Sequence, residues 1–345
     1  MLGSIRKFGP PLCRLAAALS LLAATACSPG RYLAGRFLKA PNTYPTWIGP
    51  TPRVLFDYDR KLATGLPTRT IEVGPPAAAL HVILIEPANY SLLIDSMDRH
   101  HGGKEQTVVS LRVQLPGEPL PGPRGPKGTV VILHGYGVDS DSMLPWALTV
   151  AEAGYRAVLV DLRGHGQSTG KRIYFGVVET GDLRELLASL VRTGDVAGPV
   201  AVMGESFGAA LALRWAADDP RVRAVVALAP YAEFGPAAVG LRDEYVRWMP
   251  TGWAKSVAYW LPRLLAVTPG GLDTTPFVER SRVAIFFVAA GHDHIAPAPT
   301  VARLARLAPG PVQYRAVLSA RHETLPYKFR ELRTAVLEWL DAYCH

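Results

Sequence analysis

From residue 129 onward the chain repeats one pattern. Short, near-continuous apolar runs stand at 129–133, 157–160, 200–203, 224–228, 283–289 and 312–317. Between several of them lie amphipathic stretches at 142–153, 180–192, 209–217 and 302–307. A strand that is apolar on successive residues is one covered on both faces, and strands alternating with helices build parallel crossovers. The pattern predicts a mostly parallel, twisted sheet with helices on both faces, an α/β architecture. Two further strand-like runs precede it, at 80–85 and 107–114, and a Pro/Gly-rich loop at 116–128 follows them. One interval breaks the rhythm. Between Pro230 and Arg282, after the sixth strand, the chain carries Trp248, Trp253, Tyr259 and Trp260. An insertion there, about 232–281, is expected to form a lid over the strand ends.

The N-terminal part reads differently. Arg6, Lys7 and Arg14 lead into an apolar stretch at 15–22, then Ala23-Ala24-Thr25-Ala26 and Cys27. A charged start, a short apolar run and an A-x-A site describe a secretory signal peptide over residues 1–26. The run is short for a membrane span. The cysteine directly after the cut resembles the acylated position of a bacterial lipoprotein, although Ala24 stands where Leu is usual. Ordinary signal cleavage fits Ala24-Thr25-Ala26 equally well. The expectation is export to the bacterial periplasm or cell envelope, with lipidation of Cys27 as a route to the outer membrane. Residues 28–80 are rich in proline, so 27–106 is assigned to a tether and N-terminal extension, and 107–345 to the main domain.

Composition narrows the picture further. Hydrophobic residues make up 49% and charged residues 19%, enough apolar material for a large core and against disorder. The net charge of +8 falls to +5 once the three leader cations are set aside, and no basic run is interleaved with aromatics. Nucleic-acid binding is not expected. Three cysteines without a C-x-x-C pair leave no basis for a thiol site or structural zinc. Without lipidation, a Cys27–Cys344 disulfide is the alternative.

The chemistry starts at Gly204-Glu205-Ser206-Phe207-Gly208, which follows the run 200–203 and opens the helical stretch 209–217. G-x-S-x-G between a strand and a helix is a nucleophile elbow: the turn strains the serine backbone, and only small neighbours tolerate the close approach. Ser206 is the expected nucleophile. A serine hydroxyl needs a base, and the base needs an orienting acid. Chain order for such an elbow is serine, acid, histidine. His322, after the last strand, is the expected base; His345 closes the chain and His294 lies too near its own strand. Asp293, after the strand 283–289, is the expected acid, with Glu233 as its rival. His292 and His294 lack a third ligand at a recognisable spacing, so no metal is expected. For the oxyanion, backbone donors are expected from Phe207 and, in His134-Gly135-Tyr136-Gly137, from Tyr136. His134 is expected to brace this loop.

Together these residues resemble the α/β-hydrolase superfamily, over about 107–342. Asp161-Leu162-Arg163-Gly164-His165-Gly166-Gln167-Ser168 is similar to a stretch of monoacylglycerol lipases and lysophospholipases. The resemblance implies an α/β-hydrolase fold and cofactor-free hydrolysis of a small-molecule carboxylic ester through an acyl-enzyme, with Asp161 and His165 structural. Glu205 and Phe207 depart from the His and Met common in the lipase elbow. Trp248, Trp253 and Trp260 are candidates for an acyl-pocket wall or for packing that holds the lid down. A prolyl-type or aminopeptidase-like serine peptidase is the alternative, with Asp243-Glu244 as its candidate amine site, and a thioesterase is another.

Overall fold

The computed structural model describes residues 29–43, 53–58, 62, 65–101, 104–121 and 125–344. The leader and Cys27 lie outside these residues, as does His345. The core is an eight-stranded sheet built from β2 (Thr68–Val73), β3 (Ala78–Ile85), β6 (Thr129–Leu133), β7 (Arg156–Val160), β8 (Val200–Glu205), β9 (Val222–Leu228), β10 (Ala284–His292) and β11 (Val312–Arg321). Their order across the sheet is β11-β10-β9-β8-β6-β7-β3-β2. The six strands from β6 onward run parallel, whereas β3 is antiparallel to both β7 and β2. Every residue of β6 and β8 is buried. Because successive side chains point to opposite faces, that pattern means helices cover both. The edge strands β2 and β11 are largely exposed.

The crossover helices are α2 (Leu144–Glu152), α3 (Glu179–Thr193), α4 (Phe207–Asp218) and α8 (Ala298–Leu307), with α9 (Phe329–Tyr343) closing the chain. The insertion after β9 is helical, comprising α5 (Phe234–Tyr245), α6 (Thr251–Leu264) and the short α7 (Thr275–Arg280). Helix α6 turns Ala254, Val257 and Leu261 inward, at helical spacing.

Two boundaries differ from the sequence expectation. The central sheet begins at β2, well inside the stretch assigned to a tether at 27–106, and β2 and β3 form a hairpin through Gly74, whose φ of +115° suits glycine. Only two residues of β2 are buried, so its apolar signal is too weak to stand out between prolines. The run at 107–114 does not join the central sheet. It lies in β5 (Lys104–Arg112), which pairs with β4 (Leu93–His101) and β1 (Val54–Asp57) in a separate three-stranded sheet. Within the region assigned to a tether there is also a helix, α1 (Pro29–Phe37), packed against α6; a Cβ on Gly30 would sit 1.8 Å from Ser256 Oγ. Close packing there depends on glycine.

The Cys344 thiol is buried and has no disulfide partner among the described residues; it lies 3.3 Å from the Pro199 carbonyl to which it donates. Among the described residues no helix is long and apolar enough to cross a membrane.

Candidate active site

Strand β8 ends at Glu205, and the chain turns at once into α4. Ser206 sits at the apex with φ 51° and ψ −111°, in a region that costs a non-glycine residue about 1–3 kcal/mol. The turn is overdetermined by packing. A Cβ on Gly204 would lie 2.4 Å from the Gly208 carbonyl oxygen, and one on Gly208 2.5 Å from that of His134. The Ser206 N–H donates to the Leu228 carbonyl at 2.8 Å, tying the elbow to the neighbouring strand end. At the start of α4 the Phe207 N–H has no partner within its own helix, because the first turn leaves its amides unpaired.

The structure brings Ser206, His322 and Asp293 together from three separate strand ends. His322 follows β11, and its Nε2 lies 2.7 Å from Ser206 Oγ. Its Nδ1 lies 2.7 Å from Asp293 Oδ2, in the loop after β10. The other Asp293 oxygen accepts the Ile295 and Ala296 N–H groups at 2.7 and 2.8 Å. Burial pushes Asp293 upward, but the His322 charge, its hydrogen bond and the two amides outweigh it and hold the carboxyl below its ordinary range. Burial likewise pushes His322 down, and the Asp293 charge and hydrogen bond, helped by Glu205 and Glu323, leave it raised. Glu233, the rival acid, is elsewhere: it stands just before α5, without a capping side-chain bond, and pairs with Arg303.

Tyr136 stands on the loop after β6, half-buried, its ring 6.5 Å from that of Phe207. His134 fixes this loop in a neutral form: Nδ1–H donates to the Gly135 carbonyl at 2.8 Å, and Nε2 accepts the Leu162 N–H at 3.0 Å. Complete burial pushes its pKa down, consistent with that tautomer. Asp161 organises the turn after β7, accepting the Ser140 and Gln167 amides at 2.8 and 2.9 Å. His165 packs 4.9 Å from the His134 ring, and burial drives its pKa to about 3, so it is an uncharged spacer behind the loop after β6.

Beside Ser206 lies an apolar cavity walled by Tyr136, Phe175, Phe207, Tyr231 and Phe234, closed above by residues of α1, α5 and α6. The sequence left the lid tryptophans Trp248, Trp253 and Trp260 as candidates for an acyl-pocket wall or for packing, and Trp260 packs, partly buried, against the core. None of the three lines the cavity: Trp248 and Trp253 are exposed, and the cavity aromatics come from the strand-end loops, the starts of α4 and α5, and the end of α1. Phe175, in a loop with no regular pattern of its own, left no signal that spacing could detect.

Glu205 is the other residue that the pattern did not single out. It is buried, Oε2 makes no hydrogen bond among the described residues, and Oε1 packs against Gly135. Burial raises its pKa from 4.5 to about 7, only partly offset by His322. A carboxyl whose folded pKa exceeds its unfolded one binds its proton more tightly when folded. Its contribution is fully present below pH 4.5 and is lost as pH rises through about 7. Glu205→Gln is therefore expected to raise the melting temperature at pH 8 by a few degrees and to leave it unchanged at pH 4. Thermal unfolding at both pH values checks this; an equal shift at both would contradict it.

The candidate amine site is neutralised. Glu244 is buried and pairs with Arg53, which also reaches Glu323 at 3.4 Å, while Asp243 pairs with Arg242. Among the described residues no group of three His, Cys, Asp or Glu side chains is arranged to hold a metal ion.

A mostly parallel sheet of this order, a strained serine after its fifth strand, and an acid and a histidine after its seventh and eighth are the arrangement of the α/β-hydrolase fold. The chain has the α/β-hydrolase fold. Within it, residues 124–275 match the family described as serine aminopeptidase, S33. It is 26% identical over 228 residues to the uncharacterized protein YqkD of Bacillus subtilis, covering 64% of this chain and 73% of that one. Among solved structures it is similar in fold to an esterase of Pyrococcus furiosus, with TM-score 0.60, 18% identity and coverage of 87% and 100% of the two chains. It also resembles Est1E of Butyrivibrio proteoclasticus, solved with ferulic acid, with TM-score 0.54, 13% identity and coverage of 79% and 98%.

Proposed function

We propose that this protein is a serine hydrolase that cleaves carboxylic esters through an acyl-enzyme. The observation that carries the proposal is the continuous Ser206–His322–Asp293 hydrogen-bond chain, at 2.7 Å and 2.7 Å, opening onto an apolar cavity. Ser206 Oγ attacks the ester carbonyl carbon while His322 Nε2 takes its proton. The carbonyl oxygen, now an anion, accepts hydrogen bonds from the Phe207 and Tyr136 N–H groups. The tetrahedral species collapses, His322 hands the proton to the departing alkoxide, and an alcohol leaves. Water then attacks the acyl-Ser206 with His322 as base, and the acid is released. Asp293 stays ionised throughout and stabilises the imidazolium.

The cavity favours an acyl chain over a charged amine. Its aromatic and aliphatic walls would gain about 25 cal/mol for each Å² of apolar substrate surface that they bury. The family match named serine aminopeptidase is the specific ground for a second reading, as a peptidase. Against it, the lid acids Asp243 and Glu244 already pair with Arg242 and Arg53.

Purified protein assayed on p-nitrophenyl esters of increasing acyl length and on aminoacyl p-nitroanilides separates the two. Ester hydrolysis, with kcat/KM rising from acetate to longer chains, is the expected result. Turnover of the anilides but not the esters would move the assignment to peptidase.

A further inference from the structure

The cap over the cavity has a second face. On their inner sides α1 and α6 contribute Leu33, Phe37, Ala254 and Val257 to the cavity wall. On their outer sides, and on the loop between α5 and α6, four large aromatics stand in solvent: Trp248 79% exposed, Tyr32 61%, Tyr259 53% and Trp253 40%. Two exposed tryptophans five positions apart, with two exposed tyrosines, are an unusual amount of large aromatic surface to leave uncovered.

Along the two segments that carry them the charge has one sign. Between Tyr245 and Asp273 the chain has Arg247, Lys255 and Arg263 and no acid; between residues 29 and 43 it has Arg31, Arg36 and Lys39 and no acid. Cations and rings are interleaved in space as well as in sequence. The Arg31 guanidinium lies 5.5 Å from the Trp260 ring centroid. Trp260 lies 5.3 Å edge-on from Tyr259, and the Arg263 guanidinium lies 3.5 Å from the Tyr259 ring. This ladder spans both helices.

We propose that the outer face of the α1–α6 cap docks on an anionic lipid bilayer, setting the cavity beneath it at the membrane surface. The chemistry matches that partner. Tryptophan and tyrosine partition to the headgroup level, with an apolar body and a polar edge. Arginine and lysine on the same face meet lipid phosphates, each worth about 1 kcal/mol near an anionic surface, a factor of about five in affinity. A second copy of the chain is disfavoured, because two such faces would oppose cations to cations. A nucleic acid has no use for the acyl-sized cavity immediately beneath. That the docked cavity receives lipid esters rests on the ester-hydrolase proposal above; the docking itself does not.

The test uses the full chain carrying Cys27→Ser, so that no acyl group contributes, and vesicles of phosphatidylcholine with or without phosphatidylglycerol, some with brominated chains. The expected result is binding that requires phosphatidylglycerol, weakens with salt, and quenches tryptophan fluorescence on brominated vesicles. Trp248→Phe/Trp253→Phe should abolish most of that quenching while the chain still binds. Lys255→Gln/Arg263→Gln should weaken binding about 25-fold. Neither pair lines the cavity, so turnover of a short soluble ester should stay unchanged. Undiminished quenching in the Trp248→Phe/Trp253→Phe chain, equal affinity for neutral vesicles, or a self-association that the Lys255→Gln/Arg263→Gln chain loses would each overturn the proposal. Vesicle binding without any ester hydrolysis would leave the docking standing and remove the ester-hydrolase proposal.

Discussion

Ser206→Ala is expected to lower kcat on a short p-nitrophenyl ester by up to about a millionfold, with the melting temperature nearly unchanged. Only one oxygen is removed. The elbow does not depend on it, because Ala suffers the same strain at φ 51° and the close contacts at Gly204 and Gly208 remain. His322 keeps its bond to Asp293, so the base survives without a nucleophile to deprotonate. What remains is the cavity and the proposed oxyanion donors, which on that proposal still hold an ester and its developing charge. Activity within tenfold of the parent, in a chain that melts normally, would show that Ser206 is not the nucleophile.

Asp293→Asn should cost about 10⁴ in kcat, as comparable changes do in other triads, and the structure supplies the reason. The two amides of Ile295 and Ala296 both donate to Oδ1, so an asparagine keeps its carbonyl oxygen there. Its NH2 group then faces His322 Nδ1. The imidazole must accept from it, which moves the ring proton to Nε2, the atom 2.7 Å from Ser206 Oγ. The lone pair that should take the serine proton is gone. The charge that raises His322 is lost as well, so the acid limb of any remaining kcat/KM profile should move to lower pH. A profile in which that limb stays in place, or a loss below tenfold, would return the acid role to another carboxylate.

Much of this protein is written locally. The runs at 129–133, 200–203 and 224–228 became strands within a residue or two, because a strand buried on both faces must be apolar at successive positions. Ser206 was legible for a related reason: the elbow needs Gly204 and Gly208 within two residues of it, so cause and signal share a short window. His322 and Asp293 were legible only through chain order, since residues 29 positions apart meet by the placement of two strand ends.

Other features left weaker traces. Strand β2 buries two side chains and gains its place by pairing with β3, a long-range choice that its own alternation scarcely announces. The three-stranded sheet of β1, β5 and β4 joins residues 54–57 to 107–110, in parallel and fifty residues apart. Glu205 looks like any polar residue inside a motif until burial deprives it of water. The tryptophans of the lid suggested a pocket by composition, yet side-chain direction on α6 sent Trp253 outward while Ala254 and Val257 turned inward.

By itself, then, the sequence determined the layer architecture, the strained serine turn and the identities of the groups able to serve it, because each depends on spacing within one element or on the order of elements. Tertiary structure alone decided which aromatics face the cavity, that α1 leans on the lid, and that Asp293 rather than Glu233 holds the histidine. Those outcomes depend on which surfaces meet after the sheet has closed, and no short-range pattern encodes them.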